Sequence, residues 1–142
     1  MTEVLRIERS FPASAEEVFD AWTSPEVMRR WLHCGPDWDT PVAEVDLRVG
    51  GAARIVMRRP DGREAGARGQ YTVIDRPHRL VMTWTFDEVP DNQQLIELTF
   101  EEAAGTTTVV LTNRDIVDDE RRESQDEGWR GSLDQLEWLL AS

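Results

Sequence analysis

The amino-acid sequence predicts an α+β domain, in which a curved antiparallel sheet wraps around a long C-terminal helix and two short helices follow the first strand. Three observations predict it. Over residues 42–113 apolar and polar side chains alternate with a period of two, broken at short intervals by turn-forming residues. From about Asp118 to Ala141 the period becomes helical, with Trp129, Leu133, Leu136 and Leu140 at i, i+4, i+7 and i+11. Between residues 14 and 32 two helix-start signals follow in quick succession.

Each element has its own justification. Residues 3–11 place Leu5 and Ile7 on one side and predict a strand, which Pro12 ends. Ser14 then stands three residues before Glu17, the capping-box spacing, ahead of a helix with Val18, Phe19 and Trp22 on one face. Ser24-Pro25-Glu26 starts a second short helix with Pro25 in its first turn; Val27, Met28, Trp31 and Leu32 form its apolar stripe, and Gly35-Pro36 stops it. Strands are predicted over 42–48, 53–59, 66–75, 79–87, 94–101 and 106–113. The breaks are Gly50-Gly51, Pro60-Asp61-Gly62, Arg76-Pro77-His78, Val89-Pro90-Asp91-Asn92 and Ala104-Gly105. Connections this short imply hairpins, hence a meander. Leu80, Met82, Trp84 and Phe86 alternate against Thr83 and Thr85, and Ile96, Leu98 and Phe100 against Glu97 and Thr99, so one side of the sheet must be covered. The terminal helix is the cover. Its first half is acidic, which suits the helix dipole and reads as a solvated face. Gly128 and Gly131 each cost about 1 kcal/mol against Ala in a helix interior, which close approach of the helix backbone to the sheet, or a slight bend over it, would explain.

Composition narrows the function. The 142 residues fit one domain spanning 1–142, with 39% hydrophobic and 31% charged residues, a globular balance. The net charge is −12 and no basic run occurs, which argues against a nucleic-acid partner and against docking on an anionic membrane. All 16 cationic residues are Arg, so chemistry that depends on a lysine Schiff base is excluded. One cysteine, Cys34, excludes an internal disulfide and a thiolate metal cluster. No segment is long and apolar enough to span a bilayer, and the start is charged from Glu3 onward, so the expectation is a cytoplasmic setting.

Candidate chemistry is sparse. Sequence neighbours such as His33 and Cys34 rarely present both groups to one point, so a loop thiol is preferred over a nucleophile. The two His and one Cys lack metal-ligand spacing, and no catalytic residue, metal or cofactor is assigned. Asp46 and Arg48 fall on one strand face and read as a structural ion pair beside the Gly50-Gly51 turn. Among the six tryptophans, Trp31, Trp84 and Trp129 are candidates for core and cavity wall alike. Trp38 reads as a rim residue and Trp138 as exposed or at a dimer contact.

Specific stretches carry a family resemblance. Phe19-Asp20-Ala21-Trp22-Thr23-Ser24-Pro25-Glu26, Trp31, Glu44-Val45-Asp46-Leu47-Arg48-Val49-Gly50-Gly51, Asp61-Gly62, Gly69-Gln70-Tyr71, Leu80-Val81-Met82-Thr83-Trp84 and Gly128-Trp129 with Leu133 and Leu136 occur in this order over the whole chain. In them the sequence resembles the START-like (SRPBCC) superfamily, and within it the branch named after the ATPase activator of the ninety-kilodalton heat-shock chaperone. The resemblance implies a helix-grip fold. That fold hosts carriers, cyclases and receptors alike, so it does not fix the function. Leu32-His33-Cys34 departs from the aromatic run usual there, and nothing corresponds to the co-chaperone's separate N-terminal module.

A curved sheet cannot close on its helix everywhere, so an apolar cavity is expected between the two. Ala53, Ile55, Met57, Tyr71, Val73, Met82, Leu98 and Phe100 are expected to face this interior. The predicted ligand wall is Trp31, Met57, Tyr71, Trp84, Phe86, Leu98, Phe100, Trp129 and Leu133, binding a small hydrophobic molecule. A cyclase, dehydratase or hydrolase would need an acid or base inside; a third alternative is a stress-related interaction module using the acidic helix. Residues 3–11 or 42–48 form the sheet edge through which a homodimer could pair.

Overall fold

The computed structural model describes residues 2–141. Pro12 ends strand β1 (Glu3–Phe11), and the Ser14 hydroxyl accepts from the Glu17 N–H at 3.1 Å to start helix α1 (Ala15–Thr23). Ser24 separates it from α2 (Pro25–Trp31). The meander follows: β2 (Asp39–Val45), β3 (Ala52–Arg58), β4 (Glu64–Asp75), β5 (Arg79–Phe86), β6 (Gln94–Ala103) and β7 (Thr106–Ile116). Helix α3 (Asp119–Ala141) closes the chain, with the Asp118 carboxylate accepting from the Arg121 N–H at 2.8 Å at its start. The seven strands form one antiparallel sheet in the order β1-β7-β6-β5-β4-β3-β2, the α+β helix-grip arrangement. Its edges are β1 and β2. At the β6–β7 hairpin, Ala104 and Gly105 both adopt positive φ, 53° and 79°, as a two-residue primed turn requires.

Three expectations need correction. Strand β2 covers 39–45 rather than 42–48. Residues 46–49 alternate as a strand would, but Gly50 turns at φ +85° and the partner strand starts only at Ala52, so Leu47 and Val49 are left exposed. The Asp46–Arg48 ion pair forms at 2.8 Å, in this turn instead of on a strand. Val73 does not join the interior with Tyr71: a bulge between them shifts the ladder, so Tyr71 pairs Met82 while Val73 pairs Val81. Ile74, one residue on, packs against the core instead. Gly131 does mark a close backbone approach, but to the loop after α2. A Cβ there would lie 3.0 Å from the Cys34 carbonyl carbon and 3.4 Å from its Cα.

An aromatic relay links the layers. Trp22 of α1 lies edge-on to Trp31 of α2 at 4.7 Å between centroids and 5.8 Å from Trp129 of α3. Trp129 lies 5.9 Å from Trp84 of β5, which meets Phe86 edge-on at 6.0 Å. On the other side of the core Phe19 of α1 packs edge-on to Phe100 of β6. Among the described residues no helix is long and apolar enough to cross a membrane.

Candidate functional site

The aromatic relay ends at a gap. A cavity of about 140 Å³ lies between the first half of α3, the ends of β3 and β5, and the loop after α2. The loop contributes Leu32, Cys34 and Trp38; β3 and β4 contribute Met57, Arg59 just beyond, and Ala65. Trp84 and Phe86 come from β5, with Glu88 in the following turn. The helix supplies Arg121, Ser124, Gln125, Gly128, Trp129 and Ser132. A second groove of about 300 Å³ adjoins it and shares Ala65, Phe86 and Glu88. For scale, an apolar cavity of roughly 150 Å³ holds a benzene ring.

Why the gap exists follows from the residues above and below it. On the helix, positions 124, 125, 128 and 132 are Ser, Gln, Gly and Ser, too small or too polar to fill an apolar bowl. At Gly128 a Cβ would lie 3.3 Å from the Cys34 thiol. Gln125 turns instead into a buried amide network. Its Nε2 donates to Gln94 Oε1 and to Asn113 Oδ1, both at 2.8 Å, while Gln94 Nε2 donates back to Gln125 Oε1 at 3.0 Å. Asn113 Nδ2 donates to Gln94 Oε1 at 3.0 Å, and the Trp129 indole N–H donates to Asn113 Oδ1 at 3.2 Å. These bonds fasten the polar half of α3 to β6 and β7, where apolar packing is missing, and satisfy every amide they bury. By contrast the Trp84 indole N–H is buried with no partner.

At the mouth, the Arg59 guanidinium carbon stands 5.5 Å from the Trp38 ring centroid and that of Arg121 stands 5.0 Å from the Phe86 centroid. Arg121 Nη1 donates to Glu88 Oε1 at 2.7 Å. Burial pushes the Cys34 thiol up, with Arg59 opposing, so the thiolate that a nucleophile needs is disfavoured. His33 faces away from Cys34 chemistry. It is buried, and its Nδ1 bonds the Thr40 hydroxyl at 2.9 Å, whose own hydrogen goes to the Leu32 carbonyl. Nδ1 therefore carries the proton, and burial holds the ring below its ordinary value of 6.5.

Of the nine residues expected on the wall, the structure brings together Met57, Trp84, Phe86 and Trp129. Trp31, Tyr71, Leu98, Phe100 and Leu133 lie in the packed core and not on this wall. Trp31 donates its indole N–H to the Ala21 carbonyl at 2.9 Å. Burial raises the Tyr71 hydroxyl to about 12, so it stays protonated. Glu97 points outward to Arg79 at 2.7 Å. Sequence reasoning missed Arg59, Arg121, Ser124 and Gln125. Gln125 sits four residues before Trp129, the spacing that signals a neighbour on the helix face.

A seven-stranded antiparallel sheet gripping a long terminal helix, with a cavity between them, defines a START-like helix-grip protein. The chain belongs to the Activator of Hsp90 ATPase homolog 1-like family, whose profile matches residues 12–141. It is similar in structure to a protein from Chromobacterium violaceum, with 25% identity, 99% of each chain covered and a TM-score of 0.88. An AHSA1 protein from Silicibacter pomeroyi gives 26% identity, 98% of each chain and a TM-score of 0.84. A protein from Rhizobium leguminosarum gives 28% identity over 99% of this chain and 95% of that one, with a TM-score of 0.80. No curated protein matches the chain. Membership of this family is consistent with ligand binding in a cavity.

Proposed function

We propose that the protein binds a small hydrophobic molecule between α3 and the sheet, as a carrier or receptor in a reducing cytoplasm. The observation that carries this reading is the unfilled space beside Trp84 and Trp129, whose flat apolar faces suit a ring. At about 140 Å³ the space takes one six-membered ring, with the adjoining groove receiving what extends beyond it. Apolar burial supplies the affinity. Catalysis is the weaker reading, because the one thiol on the wall is held protonated.

Titration with benzyl alcohol, followed by tryptophan emission, tests it. A ligand this small should bind with a Kd on the order of 1 mM. Ser124 lies exposed on the cavity wall, so Ser124→Trp plugs the opening without entering the core. The variant should keep its melting temperature and lose binding. Equal binding by the plugged variant would place the ligand elsewhere and end the proposal.

A further inference from the structure

We propose that the ligand is a monoanion, a ring-sized apolar body bearing a carboxylate or equivalent acid, with its charge held at the mouth by Arg59 and Arg121. This rests on the cavity-binding reading and narrows it. The chain is strongly acidic, at −12, and its arginines are almost all engaged by carboxylates. Among the described residues only Arg29, Arg59 and Arg114 have no ion pair. Of these three, Arg59 lines the cavity. Its stacking on Trp38 holds the cation in place without neutralising it.

Arg121 reaches the same mouth from the opposite wall. Its stem packs over Phe86 and its Nη1 is taken by Glu88, but its Nε is buried with no partner. Nε is closed off from solvent, so Nη2 is the donor of this guanidinium that no carboxylate takes. Glu88 is the one carboxylate among the lining residues, against two guanidinium groups. The lining thus carries one more cationic than anionic group, in an otherwise negative protein. A neutral ligand would leave Arg59 unengaged, and a cation would meet repulsion. Deeper in, Met57, Trp84 and Trp129 line the space, so the cavity still takes an apolar ring.

The test compares phenylacetate with its uncharged analogue 2-phenylacetamide by calorimetric titration at low salt. Phenylacetate should bind at least about tenfold tighter, the scale of a charge-assisted contact. Raising sodium chloride to 0.5 M should shrink that ratio. Arg59→Gln should reduce it about fivefold or more. Glu88→Gln, which removes the competing carboxylate from Arg121, should enlarge it. A wild-type ratio at or below one overturns the anion assignment and leaves the cavity reading standing. A high ratio that neither variant moves overturns it too, because the anion would sit elsewhere. If neither probe binds, the cavity reading falls as well.

Discussion

Replacing Gly131 by alanine should destabilise this protein, contrary to the usual effect in a helix. In an ordinary helix interior the change stabilises by about 1 kcal/mol. Here the new methyl would stand 3.0 Å from the Cys34 carbonyl carbon and 3.4 Å from its Cα, and nearer still to the oxygen. Carbon contacts relax at about 3.5–4.0 Å, so helix and loop must separate by roughly 1 Å. Neither partner moves freely. The loop is tied by His33 to Thr40 and by Thr40 to the Leu32 carbonyl, and the helix is anchored by buried Leu133 and Leu136. Overpacking against such a framework costs about 1–3 kcal/mol, which offsets the propensity gain and leaves a net loss of about 1 kcal/mol. Gly128→Ala is the internal comparison. Its methyl would meet the Cys34 sulfur at 3.3 Å, a side-chain atom that can turn away, so this variant should match or exceed the wild type. Urea unfolding by far-ultraviolet circular dichroism, with slopes checked for constancy, ranks the three proteins. If Gly131→Ala proves as stable as Gly128→Ala, the backbone contact with Cys34 does not constrain the helix and the reasoning fails.

Two further outcomes follow from the buried polar groups. Gln125→Leu should cost about 2–3 kcal/mol, because it strands the Gln94 and Asn113 amides beneath α3; a loss under about 0.5 kcal/mol in the same urea assay would show that the network does not hold the helix. His33 should make stability fall with acid. Its folded pKa is lowered by burial, so its contribution is complete above the ordinary value of 6.5 and is lost as pH falls through the folded value. His33→Gln should flatten the stability curve between pH 7 and 5, and parallel curves for the two proteins would remove burial as the cause.

The elements were legible because each carries a local signal. Pro12, the Ser14–Glu17 box, Pro25 and the turn residues cut the chain where the structure cuts it, and alternation fixed the inward face of β5 and β6. Residues 46–49 misled because their alternation is real but has no ladder partner, a long-range fact. Val73 misled because a bulge changes facing without changing composition. At the site, periodicity separates inward from outward but not filled from unfilled. Tyr71, Leu98, Phe100 and Leu133 point inward as correctly as Trp84 and Trp129 do, yet their space is occupied. The polar helix positions 121, 124 and 125 looked like a solvated face, because nothing local shows that Gln94 and Asn113 wait opposite Gln125.

The seating of the Cys34 backbone against Gly131 has an engineering consequence. That seam joins two walls of the chamber backbone to backbone and fixes the spacing between helix and loop, whatever side chain stands at position 34. Room for a bulkier guest has to be made on the strand side, where Met57 and Ala65 face the opening and the exposed Pro60-Asp61-Gly62 hairpin can be rebuilt without disturbing α3. Selection for new guests should therefore accumulate changes in the β3–β4 hairpin and spare the glycines of the terminal helix.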